Sequence, residues 1–227
     1  TLSPLAKAAL QYMWAEQKAD GSFPWWDSFT LAPWENGVSG LWGAALADYM
    51  IGLTPASYTT NMTPAEKSKL AALENYLRSK VAAPPASSSS TSSSAIAPLN
   101  NRAMILLAAT RRPSLLTQTV KDALADEIRN LQSADGSWSA GSLGFTVSGG
   151  TSATNAAHPY ATAFFTYVLA QTGDTSSAVT SGRAWLEAHQ RSDGAWEAKS
   201  LNAPTDAFNN QLITEASTAY AALALLP

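Results

Sequence analysis

One seven-residue pattern occurs three times in the chain and constrains its fold more than any other feature. It reads Gln, two variable residues, Asp-Gly, one variable residue and an aromatic, at residues 17–23, 132–138 and 190–196. In each copy the Asp-Gly pair predicts a turn in which glycine takes a positive φ without steric cost. We expect the Gln amide to satisfy backbone groups left open at a helix end, and the aromatic ring to fold back over that end.

The stretches around these copies alternate between charged and apolar helical patterns. Ser3 and Pro4 form a helix start, and Thr63 with Glu66 forms a capping box before another. The helical stretches that end near residues 17, 82, 132 and 190 repeat with a period of about 57 residues, which is typical of repeated hairpins. The predicted helices are 4–17, 38–51, 63–82, 99–110, 114–132, 158 to about 170, 176–190 and 212 to the end.

The order is outer helix, loop, inner helix, repeated four times, and it predicts an all-α fold in one domain, 1–227. The loops resemble the QW repeats of the squalene–hopene cyclase and protein prenyltransferase superfamily. That resemblance implies an α/α toroid, here with four outer/inner hairpins. Four hairpins are fewer than the six of a closed barrel. The ring is therefore either open, leaving a groove, or completed by another chain, which makes a homo-oligomer one expectation.

Composition excludes several classes of protein. Net charge is −3 with scattered basic residues, which argues against nucleic acid as a partner. No apolar run approaches the roughly 20 residues of a membrane span, and the absence of cysteine excludes disulfides and thiolate zinc sites. Residues 84–98 are Ser-rich and are expected to form a flexible loop. The first residue is Thr, and Ser and Thr are frequent in the loops, so a secreted or periplasmic location is the working hypothesis.

The four long connections, 24–37, 84–98, 139–157 and 197–211, all join an outer helix end to an inner helix start. They should therefore meet at one end of the bundle, which we call the mouth, where binding sites on rigid scaffolds commonly lie. The starts of the inner helices point their positive dipole ends into it. The candidate site residues are His158, Tyr160, Arg102, Asn100, Asn101, Asn155, Asp27, Glu35, Asp206, Glu215, Trp25, Trp26, Trp34 and Trp42.

These residue types suggest distinct roles. His158 and Tyr160 can act as base and acid, and Arg102 with Asn101 and Asn155 can neutralise a carboxylate. The four carboxylates offer acid–base pairs for glycoside hydrolysis, and the four tryptophans can stack on sugars or line an apolar cavity. Each set has a structural alternative: helix capping for His158, the Asn residues and the carboxylates, a surface position for Arg102, and core packing for Tyr160 and the tryptophans.

The family's own active sites are missing. The Asp-x-Asp-Asp acid motif of the cyclases is absent, Thr205-Asp206-Ala207 being the nearest fragment, and the zinc ligands of the prenyltransferases cannot be assembled without cysteine. No metal or cofactor is therefore predicted. Three hypotheses stay open: a polysaccharide lyase or hydrolase acting on an acidic glycan, a terpene-cyclase-like protein that binds or cyclises an isoprenoid through Asp206 or Glu215, and a non-catalytic binding or scaffold module.

Overall fold

The computed structural model describes residues 2–25, 39–81, 97–144, 155–201 and 203–226. In these ranges the chain is helical without strands, and the all-α prediction is confirmed. An isolated antiparallel bridge joins Ser139 and Ala157, and a 3-10 turn spans Ala140–Leu143. The described α-helices are α1 (Pro4–Ala15), α2 (Ser39–Gly52), α3 (Ala56–Thr60), α4 (Pro64–Val81), α5 (Leu99–Arg111), α6 (Gln118–Asn130), α7 (Pro159–Gln171), α8 (Ser177–Ala188) and α9 (Ala207–Leu225).

The helices α2, α5, α7 and α9 form the inner layer. α5 packs against α2 and α7, and α9 packs against α7. Every residue of α7 from Tyr160 to Leu169 is buried, as expected of an apolar helix surrounded by protein. Across the centre, the rings of Trp42 and Phe164 have centroids 5.4 Å apart, and the hydroxyls of Tyr49 and Tyr167 are 3.2 Å apart. α2 therefore contacts α7 directly, although α5 packs against both.

The outer helices lie against the inner ones. α4 packs against α2 and α5, α6 against α5, and α8 against α7 and α9. α6 buries Leu124, Ala125 and Ile128 and carries charged residues elsewhere on its surface. α1 buries Trp14, whose indole N–H donates a 2.8 Å hydrogen bond to the Tyr58 hydroxyl beside α3. The predicted inner helices α5 and α7 are largely buried, whereas α9, also predicted to be an inner helix, buries only one face. None of the described helices has the length and apolarity needed to cross a membrane.

Two predicted helix starts are wrong by several residues. α6 begins at Gln118 rather than Ser114, because Thr117 caps it through the N–H of Val120 and the preceding residue Leu115 is used as a buried loop contact. α9 begins at Ala207 rather than Leu212, because the Asp206 carboxylate caps it by accepting the N–H of Asn209 at 2.8 Å. The short helix α3 was not expected from the sequence.

The three Asp-Gly loops have the conformation that the pattern predicts. Gly21, Gly136 and Gly194 have φ values of 90°, 91° and 87°. In each loop the Gln side-chain N–H donates to the glycine carbonyl, at 3.1, 2.9 and 3.0 Å. The indole N–H of Trp138 donates to Ile128 O, and that of Trp196 donates to Leu186 O, each at 2.7 Å. The aromatic rings therefore fold back over the ends of α6 and α8.

The first two loops also attach to the next outer helix of their layer. Gln17 Nε2 donates to Lys69 O of α4, and Gln132 Nε2 donates to Ala178 O of α8, both at 2.9 Å. The glycines sit so close to these helices that a Cβ on Gly21 would lie 2.3 Å from Ala72 O, and one on Gly136 would lie 2.5 Å from Ser181 O. The loops therefore fix the distance between successive outer helices as well as ending one helix.

Candidate functional site

Four of the predicted site residues, Trp26, Asp27, Trp34 and Glu35, lie outside the described residues. The others divide into a buried group at the starts of α5 and α7 and a scattered group elsewhere. The buried group is Asn100, Asn101, His158 and Tyr160, which we call the mouth cluster.

Side-chain contacts join most of the mouth cluster. The Tyr160 hydroxyl donates to Asn100 Oδ1 at 3.1 Å, and Asn100 Nδ2 donates to Asn101 Oδ1 at 3.2 Å. The rings of His158 and Tyr160 meet edge to face with centroids 6.4 Å apart. These residues lie together in the structure, at a depth that the sequence does not reveal. Asn100, Asn101 and Tyr160 are fully buried and His158 is 7% exposed.

His158 does not cap α7 through its side chain. Pro159 begins the helix without needing a partner for a backbone N–H. The imidazole turns to the next connection, where His158 Nε2 is 3.0 Å from Lys199 O. Because a carbonyl only accepts, Nε2 carries the proton and Nδ1 is an acceptor. His158 Nδ1 is buried and has no hydrogen-bond partner among the described residues.

Burial keeps both titratable groups of the mouth cluster neutral at pH 7. It lowers the pKa of His158, against a smaller opposing contribution from the hydrogen bond with Lys199 O. Burial also raises the pKa of Tyr160 well above its usual value, and the nearby Tyr220 adds to that shift. A neutral imidazole with an open Nδ1 has the protonation state of a general base, but the Nδ1 atom of His158 is buried.

Arg102 turns away from the mouth cluster toward α6. Its guanidinium forms a two-armed ion pair with Glu127, with N–O distances of 2.5 and 2.6 Å, and its Nε donates to Ala97 O at 2.8 Å. The side chain of Arg102 is only 11% exposed. Its positive charge is therefore neutralised by Glu127, whose side chain is 41% exposed, and a substrate carboxylate would have to displace Glu127.

Asp206 lies far from the mouth cluster along the helix axes. Thr162 of α7 and Thr218 of α9 hold equivalent places, because each hydroxyl accepts the backbone N–H of a loop tryptophan, at 3.0 and 3.1 Å. Tyr160 lies two residues before Thr162, toward the start of α7. Asp206 lies twelve residues before Thr218, just before the start of α9. At 1.5 Å per residue these offsets are about 3 and 18 Å. Asp206 is exposed and serves as the cap of α9, which is its structural alternative.

Asn155 and Glu215 are also exposed and do not join the cluster. Asn155 precedes the bridge residue Ala157. Glu215 lies on the exposed side of α9, where it accepts a 2.9 Å hydrogen bond from Gln211 one turn earlier. The described carboxylates therefore provide no acid–base pair at the mouth.

The two described tryptophans of the predicted aromatic set lie in different places. Trp42 is buried against Phe164 in the inner layer. Trp25 covers Gly43, where a Cβ would lie 2.5 Å from its ring. Trp25 also lines a groove of about 410 Å³ between α1 and α2. The other residues lining that apolar groove are Tyr12, Met13, Glu16, Phe23, Pro24, Gly43, Leu46, Ala47 and Met50.

A buried charge network was not found from the sequence. Asp48 of α2 is fully buried, with Oδ1 3.1 Å from Arg112 Nε in an ion pair not aligned as a hydrogen bond. Arg112 also pairs with Glu74 of α4. Burial raises the pKa of Asp48 to about 7 against the opposing effect of Arg112, and the negative charge of Glu74 adds to the rise. A lone carboxylate in an otherwise apolar helix is the sequence signal that identifies it.

In the described ranges, no group of three His, Asp or Glu side chains is arranged to hold a metal ion. Comparison of the sequence with protein-family models and with curated proteins returns no significant match. The resemblance to QW-repeat proteins therefore depends on the three loops alone, and the function has to be argued from the geometry.

Proposed function

We propose that the protein is a non-catalytic binding module, an open α/α toroid of four hairpins that holds partner proteins at the exposed edges of its helical array. One observation carries the proposal. The described polar groups of the mouth are largely engaged inside the protein: Tyr160 with Asn100, Asn100 with Asn101, His158 with Lys199 O, and Arg102 with Glu127. A site that binds a polar substrate would instead present such groups to the solvent.

The toroid part of the proposal is supported by the helix contacts. Inner helices follow one another in the order α2, α5, α7, α9, and the outer helices α4 and α8 each pack against two successive inner helices. The contacts of Trp42 with Phe164 and of Tyr49 with Tyr167 bring α2 and α7 together across the centre. A flat layer would keep α2 and α7 apart, so these contacts favour a curved inner layer with its concave side filled by aromatic rings.

The edges are the apolar part of the described surface. Most exposed large apolar side chains of the described residues lie on the first two helices and the last helix of the array. They are Leu5 and Tyr12 of α1, Met50 of α2 with Leu53 just after it, and Leu223 of α9 with Leu226 just after it, together with Phe208 at the mouth end of α9. Leu131, just after α6, is the one outside these helices. Apolar patches of this kind on helical repeats are typical of protein–protein contacts.

The two enzymatic hypotheses stay predictions, and each activity requires a particular arrangement of side chains. A lyase acting on an acidic glycan requires Arg102 to leave Glu127, and it requires the buried Tyr160 or His158 to reach a sugar. A cyclase-like activity requires an acid beside an apolar cavity. The described groove lies between α1 and α2. By contrast, Asp206 caps α9 and Glu215 lies within α9.

Enzyme assays test the proposal. The protein is incubated with a panel of polyuronates, and unsaturated products are followed by ultraviolet absorbance, together with Tyr160→Phe, which removes only the hydroxyl, and Arg102→Ala. We expect no product from any of the proteins. Product formation by the wild-type protein that is lost in folded Tyr160→Phe would overturn the proposal in favour of a lyase.

A binding measurement separates the two roles of Arg102. In the proposed function, Arg102→Ala and its matched control Glu127→Gln lower stability by similar amounts, and neither changes glycan binding measured by titration calorimetry. Specific binding of a polyuronate that Arg102→Ala removes and Glu127→Gln strengthens would contradict the proposal, because it would mean that Arg102 is released to a substrate carboxylate.

A further inference from the structure

The third Asp-Gly loop, residues 190–196, is formed like the other two but lacks their docking contact. Gln190 Nε2 donates to Gly194 O, yet no second carbonyl among the described residues accepts from it as Lys69 O and Ala178 O do from Gln17 and Gln132. A Cβ on Gly194 would have only Gln190 Nε2 within 4 Å, at 3.9 Å. The loop is thus shaped to fit a helix that the described chain does not place there.

The two docked loops define what such a helix must present. Loop 1 contacts Lys69 O through Gln17 and approaches Ala72 O, three residues later. Loop 2 contacts Ala178 O through Gln132 and approaches Ser181 O, again three residues later. A carbonyl in a helix keeps a second lone pair for such a bond. The receiving helix therefore needs two accessible carbonyls three residues apart, with a small side chain at the second.

A third shared feature lies seven residues after the first carbonyl. In the second loop, the indole of Trp185, seven residues after Ala178, is near enough to Asp135 to contribute to lowering its pKa, although the hydrogen bonds with Ser137 contribute more. In the first loop, the charge of Asp20 acts on the phenol of Tyr76, seven residues after Lys69, and contributes to raising its pKa. The receiving helix thus also carries an aromatic side chain with a polar hydrogen at this place, in the neighbourhood of the loop Asp.

Helix α1 has all three features at the same spacing, and the residues that carry them are exposed. Leu5 is twelve residues before Gln17, as Ala178 is twelve residues before Gln190. Ala8 follows three residues after Leu5, and Tyr12 follows seven residues after it. In α4 and α8 the equivalent residues are partly or fully buried, whereas here Leu5 is 81% and Tyr12 71% exposed and Ala8 is exposed as well.

Helix α6 shows that this match is not a general property of the outer helices. Counting back from Gln132 in the same way gives Val120, Ala123 and Glu127. Glu127 would place a carboxylate against the loop Asp, which is repulsive, and it is already paired with Arg102. α1 is therefore suited to an Asp-Gly loop and α6 is not.

We propose that a second copy of this chain docks its α1 onto the third Asp-Gly loop, so that Gln190 bonds Leu5 O, Gly194 packs against Ala8 O, and Asp193 accepts from the Tyr12 hydroxyl. This inference rests on the proposed function and names the partner of its edges. The joint continues into the inner layer, where exposed Met50 and Leu53 at the end of α2 meet exposed Leu223 near the end of α9. Because the two surfaces differ, the contact is head to tail and builds a ring or a longer array.

Sedimentation velocity over a wide range of concentrations tests the joint. We expect the wild-type chain to associate, and Gly194→Ala to weaken association at least about tenfold, since the added Cβ would press on Ala8 O as it would on Ser181 O in the second loop. The matched control is Gly173→Ala. It introduces the same unfavourable positive φ (78°) where no atom lies within 4 Å of the Cβ, so association should be unchanged. A wild-type protein that stays monomeric, or equal effects of the two variants, would overturn the proposal.

A mixing experiment tests the head-to-tail geometry. Tyr12→Asp places a carboxylate against Asp193 and blocks the head, whereas Gly194→Ala blocks the tail. Each variant alone should be monomeric, and an equimolar mixture should form a one-to-one complex, because one free head and one free tail remain. A mixture that stays monomeric would refute the joint. These outcomes are independent of the polyuronate assay, so failure of this inference is distinguishable from failure of the proposed function.

Discussion

Replacing Gly136 by alanine tests whether the Asp-Gly loops hold the outer helices together or only end them. Gly136 has a φ of 91°, and a Cβ there would lie 2.5 Å from Ser181 O and 2.8 Å from Ser181 C of α8. The second loop or α8 must therefore move by nearly 1 Å to restore an ordinary contact, since 3.4 Å is the lower end of that range.

Two effects contribute to the loss of stability, and they can be separated. The left-handed backbone conformation costs a non-glycine residue about 1–2 kcal/mol. Overpacking against α8 adds about 1–3 kcal/mol, and if the loop moves away instead, the hydrogen bond from Gln132 to Ala178 O is lost at a cost of about 1 kcal/mol. Gly173→Ala carries the first cost alone, because its Cβ meets no atom within 4 Å.

Urea unfolding followed by circular dichroism, at a concentration too low for association, gives the comparison. We expect Gly136→Ala to be less stable than Gly173→Ala by about 1–3 kcal/mol. In a chain of this length, that difference lowers Tm by about 2–4 °C per kcal/mol. Gly194→Ala should behave like Gly173→Ala. Equal losses for Gly136→Ala and Gly173→Ala would refute the view that the loops lock neighbouring outer helices.

Three further substitutions probe the buried polar groups. Folding raises the pKa of Asp48 to about 7. The contribution of Asp48 to stability is therefore present at low pH and is lost as pH rises through that value. Between about pH 5 and 8, urea titrations should show the wild type losing up to about 3 kcal/mol of stability relative to Asp48→Asn. The pKa of His158 is lowered on folding, so stability should fall as pH drops below about 6.5, and His158→Gln should lack this slope in thermal unfolding. Exchanging the charges of Arg102 and Glu127 should restore part of the roughly 1–3 kcal/mol that either single reversal costs, as measured by a double-mutant cycle, and full additivity would show that the pair does not interact.

The local features of the fold could be predicted because they depend on neighbouring residues. The positive φ of Gly136 and the bond from Gln132 to its carbonyl follow from residues within one loop. The alternation of buried and half-exposed helices follows from apolar patterning. The predictions of the helix starts were less accurate. Capped by Asp206, α9 begins five residues before the predicted start, because a cap depends on one side chain and not on the periodicity of the helix that follows.

The site was harder to predict because burial and pairing are set by distant residues. That Tyr160 and His158 lie together follows from their neighbouring positions at the start of α7, but their depth depends on the packing of α7 among three other helices. The partner of Arg102 is Glu127, 25 residues later on another helix. Thr162 and Thr218 occupy equivalent places in α7 and α9. Measured from these two residues, α9 begins about two turns earlier than α7, and this separates Asp206 from Tyr160.

The pairing of Arg102 with Glu127 has a reason within the repeat itself. Where an Asp-Gly loop follows the preceding outer helix, the place seven residues after the first carbonyl holds an aromatic side chain with a polar hydrogen, Tyr76 or Trp185. The connection that follows α4, the outer helix before α6, is the Ser-rich stretch 84–98 without an Asp-Gly loop, and in α6 the same place holds Glu127. A carboxylate is compatible with that place only if no loop Asp approaches it, and there it neutralises Arg102. The presence of an Asp-Gly loop and the type of residue at this place on the receiving helix thus vary together along the chain. By the same rule, Tyr12 on the uncovered face of α1 is the residue expected to meet an Asp, and the unmatched loop that carries one is the third.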